Sequence, residues 1–446
     1  MPRTDDRPSR RTLIRLGAGS ALAGALPPGI PAAGAARLSA RGFDRGVNAW
    51  PWFSFPVAFP PAGAYPAIPP FHPDRPVPRY EDLAKLAAAG FDFIRLPVCP
   101  APFLHLASTG QERQLRRCIE AVTEAVALAH SAGLGTVVNL QPDSTPGYTA
   151  EELYGSTAAM FDAYRRLVSR FAGSLAALPI ERLAFEPVNE PPQSAADDWA
   201  ARQDILLAAA RASAARLKLV ATGAFGGSIR GLVRLDPRAL IRSFDPLLFT
   251  FHFYEPYLFS HQGAPWLARS EPKYAWLNDV PWPGSAGSLS RTMASVRERM
   301  AAFPDGHSQA RLRAYEETIR SGLEPYFNPP IDSGYFTGDP GNGGEFFTVL
   351  RGWATGHGLG PERILMGEFG ALQTTEVARP VTGGPYVAAN AADRARYLAD
   401  LRRTAEDHGY GWAMWTLFNP GMGLMDETSR ALDPAVLGAL GLAVSR

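Results

Sequence analysis

A closed α/β barrel of the (β/α)8 (TIM) type, with one long insertion after its sixth strand, is predicted for this chain by three features. Eight short apolar runs alternate with segments whose apolar residues recur at helical spacing. Two of those runs end on an acidic residue, Glu190 and Glu368, at the strand ends where barrels place their chemistry. The 446 residues, 46% of them hydrophobic, suffice for one large core with an insertion. The same alternation also permits a doubly wound open sheet.

The first element is an address. Arg10-Arg11 precedes a small-residue apolar stretch running to about Leu26, and Ala33-Gly34-Ala35 offers an A-x-A cleavage site. Residues 1–36 read as a twin-arginine-type signal peptide, with the mature protein starting near Ala36 and working in the periplasm or outside the cell. The apolar stretch is too short to span a bilayer comfortably, so no stable membrane anchor is expected. Gly17-Ala18-Gly19 is no dinucleotide loop, because Leu22 replaces the third glycine and no strand precedes it.

Residues 37–446 read as a single domain. The expected strands cover Gly46–Trp50, Phe93–Val98, Gly135–Leu140, Leu183–Val188, Leu217–Thr222, Leu248–Tyr254, Ile364–Gly367 and Trp412–Leu417. Tyr80–Ala89, Arg116–Ala132 and Ala392–His408 carry helical spacing, and Gly90 and Gly133 stand where glycine ends a helix before the next strand. The spacing fails once, between strands six and seven. There an insertion at 257–345 carries Trp266, Tyr274, Trp276, Trp282, Tyr326, Phe327, Tyr335 and Phe336. A connection of that length is functional or a subdomain, and on a barrel it walls the active-site face. Its rings suit sugar stacking, but most are expected to form the insertion's own core.

Charge narrows the partners. Lys and Arg number 44 and Asp and Glu 43, mixed along the chain. No basic stripe points to nucleic acid or to an anionic membrane surface, and a neutral substrate fits best. The protein is expected to be a monomer. Its two cysteines, Cys99 and Cys118, exclude a disulfide scaffold and leave one bridge or two free thiols open.

The most informative stretch is Phe185-Glu186-Pro187-Val188-Asn189-Glu190-Pro191. A strand places residues 186, 188 and 190 on one face, and Pro191-Pro192 ends the ladder after Glu190. A second apolar strand, Ile364-Leu365-Met366-Gly367, runs into Glu368 with Gly370 beyond it. Two such carboxylates meet the needs of glycosidic cleavage: one protonates the leaving oxygen, the other attacks the anomeric carbon or activates water. His252 and Tyr254 share a face of strand six, although a lone strand histidine is more often a core residue. Arg95, a charge inside an apolar strand, needs an acidic partner, Glu368 or Glu186. Trp415 either floors a sugar site from strand eight or fills the core. No H-x-H or H-E-x-x-H spacing offers a metal site, and no cofactor is expected.

Taken together, Arg95, Asn189-Glu190-Pro191, His252-Phe253-Tyr254, Glu368-Phe369-Gly370 and Trp415 resemble glycoside hydrolase family 5, the cellulase family of retaining barrel enzymes, from about Gly42 to Phe418. The resemblance implies that Glu190 is the acid/base, in an apolar setting beside the Glu368 charge, and that Glu368 is the nucleophile. It implies that Asn189 binds the 2-hydroxyl, Tyr254 and Arg95 orient Glu368, His252 supports the site and Trp415 lies under the sugar. Trp50 is added as a further substrate contact. One departure stands out: family members carry a histidine at the end of strand three, where this chain has Gln141. Gln141 can hydrogen-bond a hydroxyl but cannot titrate.

The function expected is retaining hydrolysis of β-linked polysaccharide, foremost as an endo-β-1,4-glucanase. β-Mannan, β-1,3-glucan, xyloglucan and glycolipid stand as alternative substrates. A non-catalytic carbohydrate-binding barrel and a metal-dependent amidase are the alternatives of other classes.

Overall fold

A computed structural model describes residues 42–57, 69–155, 158–302, 309–328 and 344–443. The signal-peptide reading of residues 1–36 and the aromatics Tyr335 and Phe336 lie outside them.

Eight parallel strands close into a barrel in sequence order: β1 Arg45–Asn48, β2 Phe93–Val98, β3 Gly135–Leu140, β4 Leu183–Glu186, β5 Lys218–Thr222, β6 Leu247–Phe253, β7 Ile364–Phe369 and β8 Gly411–Met414. β8 pairs with β1, which excludes the open doubly wound sheet. The glycine stops act as expected: Gly90 ends the helix Tyr80–Ala89 with φ +105° and Gly133 follows the helix Glu112–Ser131 with φ +89°.

The period of two sorts every strand into an inner and an outer face. Ile94, Val138, Phe185, Leu219, Phe249, Met366 and Trp412 pack outward into the large core shared with helix residues such as Val122, Phe171 and Leu206. Phe93, Val137, Ala184, Val220, Leu248, Leu365 and Ala413 turn inward with Phe43 and form the barrel floor. A Cβ at Gly46 would stand 2.3 Å from the ring of Phe93, so glycine there lets that ring fill the floor. Two residues further along, the inner face becomes polar: Arg95, Asn139, Glu186, Thr222 and Thr250 are all buried. The apolar floor seals the barrel, and the chemistry stands on top of it.

The expected readings fail around both carboxylates, at β4 and at β7. β4 stops at Glu186 and Val188 turns into the outer core, so residues 186, 188 and 190 do not share one face. Pro187, Pro191 and Pro192 withhold the N–H groups that would continue the ladder. β7 runs to Phe369 and carries an irregularity: Phe251 of β6 faces Met366, but the next residue, His252, faces Glu368. Gly367 is the extra residue of this bulge.

In the insertion, Tyr274, Trp276, Trp282 and Tyr326 are buried and join the main core, whereas Trp266 is exposed. The helix Gly344–Gly356 is the ordinary barrel helix after β6, with Phe347 and Trp353 packed edge-on against Phe251 and Phe249. Cys99 and Cys118 are both buried and free. Among the described residues no helix is long and apolar enough to cross a membrane.

Candidate active site

Arg95 is the hub of the strand ends. Its Nε and Nη2 donate to Glu186 at 2.8 and 2.9 Å, and Nη1 donates to Glu368 Oε1 at 2.7 Å. Nη1 also donates to Asn48 Oδ1 at 2.8 Å and Nη2 to Asn189 Oδ1 at 2.7 Å. All five guanidinium N–H groups are thereby used. The sequence offered Glu368 or Glu186 as the partner, and Arg95 takes both. Burial works against its charge, but Glu186 and Glu368 more than offset this and hold the guanidinium protonated.

Asn48 was missed from the sequence. Its Nδ2 donates to the carbonyls of Gly367, Ala413 and Met414, so it ties β1 to β7 and β8 while its oxygen accepts from Arg95. The available sign was a polar side chain in a buried strand, in register with the inward Gly46. Tyr154 and Tyr164 were missed as well. Their hydroxyls donate to the carbonyls of Asn189 and Pro187 and pin the loop after β4. No local pattern announces such long-range contacts.

Asn189 and Glu190 leave that loop in different directions. Because arginine only donates, Asn189 must turn its oxygen to Arg95, leaving its NH2 group for a ligand. Glu190 has φ +45°, a left-handed conformation that costs energy for a residue with a Cβ. Its carboxylate, about two-fifths exposed, lies 2.8 Å from His252 Nδ1. The apolar setting expected for Glu190 is therefore not found: an imidazole and solvent surround it. Gly227, φ +68°, fits beneath, where a Cβ would be 3.6 Å from both Glu190 and His252.

Glu368 is enclosed. Its Oε1 accepts from Arg95, its Oε2 accepts from the Tyr254 hydroxyl at 2.9 Å, and His252 Nδ1 is 3.7 Å away. A Cβ at Gly367 would stand 2.4 Å from Thr250 Oγ1, so glycine permits the bulge that turns Glu368 inward. Burial pushes the Glu368 carboxyl upward, while the charges of His252 and Arg95 and the Tyr254 bond pull it back. For His252 burial lowers the proton affinity, but Glu368 and Glu190 reverse this and the net direction is up. Burial pushes the Tyr254 hydroxyl well up, so it stays a hydrogen-bond donor. His252 and Tyr254 thus each reach a carboxylate at the strand ends.

One oxygen each of Glu190 and Glu368 and a ring nitrogen of His252 all lie within 4.8 Å of one another. A divalent ion accepts such a donor set, yet these atoms already pair with one another and with Arg95 and Tyr254, and the guanidinium would repel it.

Trp415 and Trp50 stand together, ring centroids 5.9 Å apart and both half-buried, on the β8–β1 side. Gln141 follows β3, half-buried, with its side-chain oxygen enclosed and without a partner among the described residues. On the β4–β6 side a cavity of about 350 Å³ is lined by Gln193, Phe225, Arg230, His252, Glu255 and Tyr257, among others.

With this geometry in place, the comparisons align. The profile of the family described as Cellulase (glycosyl hydrolase family 5) matches residues 71–420. Endoglucanase 3 of Fibrobacter succinogenes is 22% identical over 270 residues, 59% of this chain and 34% of that protein. Endoglucanase C of Acetivibrio thermocellus is 26% identical over 220 residues, 46% of this chain and 57% of that protein. The chain thus spans between a third and somewhat over half the length of these relatives. Among solved structures, the cellulose synthase subunit Z of Clostridioides difficile superposes with TM-score 0.58 at 16% identity, covering 89% of this chain and 99% of that one. Thermotoga maritima Cel5A in complex with cellobiose gives 0.58 at 19% identity, covering 90% and 98%. These likenesses carry the fold.

Proposed function

Because this chain belongs to the cellulase family, glycosyl hydrolase family 5, we propose that it hydrolyses β-linked polysaccharide with retention, as an endo-β-1,4-glucanase, using Glu190 as acid/base and Glu368 as nucleophile. The observation that carries this reading is the 4.8 Å limit that encloses the two carboxylates and His252. Retaining glycosidases hold their carboxyl groups about 5–5.5 Å apart, whereas inverting ones leave about 6.5–9.5 Å for a water.

In the first step Glu190, at the solvent-facing end of the pair, protonates the departing oxygen while Glu368 bonds to the anomeric carbon. Arg95 and Tyr254 fix both oxygens of Glu368, so the attacking lone pair is aimed before substrate arrives. In the second step ionised Glu190 takes a proton from water, which releases the sugar. His252 supplies Glu190 with an N–H donor through both steps. The free NH2 of Asn189 suits the 2-hydroxyl of the sugar under attack, with Trp415 and Trp50 as its platform and Gln141 accepting from a hydroxyl. A polymer too large to cross a membrane is consistent with export through residues 1–36.

The test is product analysis on cello-oligosaccharides and manno-oligosaccharides, including anomeric configuration. Internal cleavage of cello-oligosaccharides to β-anomers, abolished in Glu368→Ala with folding intact, is the expected result. Preference for the manno-series would move the substrate to β-mannan. Inverted products, or activity surviving Glu368→Ala, would overturn the assignment.

A further inference from the structure

The cavity on the β4–β6 side holds charges that the reaction above does not use. Arg230 and Arg234 place their guanidinium carbons 4.3 and 4.5 Å from the ring centroid of Phe225. Both arginines are exposed, and among the described residues neither has an acidic partner. The nearest acid in sequence, Asp236, is engaged in capping the helix Pro237–Phe244 through the N–H groups of Arg238 and Ala239. Two like charges are therefore gathered on one ring. A solvated surface has no reason to collect them in this way.

The loop that presents them is built for the purpose. Phe225 has φ +59°, and Gly226 and Gly227 follow at +67° and +68°. Three successive left-handed residues are costly at Phe225, where the Cβ is crowded, and such strain persists where surroundings over-determine it. The over-determining contacts are visible: Gly226 N donates to the carbonyl of Pro191 at 2.9 Å, which ties this loop to the residue after Glu190. Phe225 and Arg230 then line the same cavity as His252. Trp50 and Trp415 stand on the other side of the carboxylates, at β1 and β8. A proton donor stands beside the leaving oxygen, so the sugar beyond Glu190 enters this cavity.

We propose that this cavity is a leaving-side subsite for a sugar bearing a carboxylate, a hexuronate unit of the glycan, read by Arg230 in its lining with Arg234 beside it on the Phe225 ring. Guanidinium pairs with carboxylate through parallel N–H bonds, and here both forks are free and held on Phe225. Glu255 lines the same cavity, and among the described residues no cation pairs with it; its carboxylate accepts the Tyr254 N–H at 3.1 Å. Burial pushes the Glu255 carboxyl upward, which weakens its repulsion of an incoming anion. Whole-chain charge balance gives no hint of this selectivity, because the preference is local.

This inference rests on Glu190 being the proton donor. It is tested with the full-length protein on β-1,4-linked cello-oligosaccharides and on the same backbone oxidised to carboxylate at C6. The readout is the ratio of kcat/KM for acidic over neutral substrate. The expected wild-type ratio at low salt is about fivefold or more, two partly exposed charge pairs contributing together. It should shrink in about 1 M salt, where the Debye length is about 3 Å. Arg230→Gln with Arg234→Gln should bring the ratio to about one, and Arg230→Lys with Arg234→Lys, which keeps the charge but not the fork, should keep only part of it. A wild-type ratio of one or less, or a preference surviving the Gln pair, overturns the subsite. If neither substrate is cleaved, the hydrolase reading fails, and calorimetric binding of the two oligosaccharides decides the subsite separately. Tighter binding of the acidic one upholds it, and equal or absent binding sinks it.

Discussion

His252 Nδ1 lies 2.8 Å from Glu190 Oε1, and the opposite nitrogen of the same ring lies 3.4 Å from Arg95 Nη2. Arg95 can only donate and its N–H groups are committed elsewhere, so in its neutral form the imidazole turns its lone pair to Arg95 and its Nδ1–H to Glu190. The ring thus links the buried cation to the exposed carboxylate. Removing any member of this line should have its own signature.

Glu190→Gln keeps the size of the side chain but ends proton transfer. On oligosaccharides kcat should fall by roughly 10²–10⁴. Aryl glycosides whose leaving group needs no proton should suffer far less in the first step. Equal losses on both substrate types in single-turnover kinetics would contradict the acid role.

Arg95→Met leaves Glu186 and Glu368 buried without their cation. Breaking such a group from one side costs about 3–5 kcal/mol, seen as a lower urea midpoint with an unchanged slope. Adding Glu186→Gln should recover part of the loss, since the remaining charge is then smaller. A cost below about 1 kcal/mol would mean that the site relaxes or takes in water.

Tyr254→Phe deletes the hydroxyl that donates to Glu368 at 2.9 Å and changes little else in shape. A donor to a reacting carboxylate acts mostly on the transition state, so kcat should drop about 10²-fold with KM within a few-fold. A change confined to KM would place the hydroxyl on the sugar instead.

Gln141→Ala should do the reverse. Its enclosed side-chain oxygen lacks a partner in the free protein, and a substrate hydroxyl can supply one. The loss should raise KM about tenfold at nearly constant kcat, the mark of binding lost equally from ground and transition states. An unchanged KM on oligosaccharides of any length would remove Gln141 from the site.

Asp92 governs pH-dependent stability from the far end of the barrel. Burial pushes its carboxyl from 3.8 to about 7, helped by neighbouring Asp44 and opposed by the backbone N–H groups of Arg45 and Asp44. The folded state thus holds this proton more tightly than the unfolded one. Its contribution is complete below pH 3.8 and is lost as pH rises to about 7. Urea unfolding between pH 4 and 7 should show stability falling for this reason, and Asp92→Asn should remove that part of the slope. An identical slope in the variant would exclude Asp92 as its source.

Much of the site was legible because the signals are local. Glycine caps at Gly90 and Gly133 and runs of period-two apolar residues each act within a few residues and located the strands, whereas the prolines after Glu190 put the end of β4 too late. Arg95 was legible for another reason: a charge in an apolar strand must be paired whatever the fold. Neither kind of signal reached Tyr154, Tyr164 or Asn48, whose roles depend on carbonyls brought to them from distant segments.

The sequence by itself determined that Glu368 lies at the end of one apolar strand and Glu190 just beyond another, and that His252 and Tyr254 share a face and Arg95 needs an acidic partner. It did not determine that the two carboxylates face each other. Strict alternation from Leu365, which lines the floor, turns Glu368 outward to the helices, and alternation from Glu186 sends Val188 inward. Tertiary structure reversed both. A bulge at Gly367, fitted against Thr250, rotates Glu368 into the barrel, and a left-handed turn pinned by Tyr154 and Tyr164 carries Glu190 over the strand end to His252. Periodicity holds only while the ladder is regular. At this site the ladder breaks, and contacts between distant segments decide where each carboxylate points.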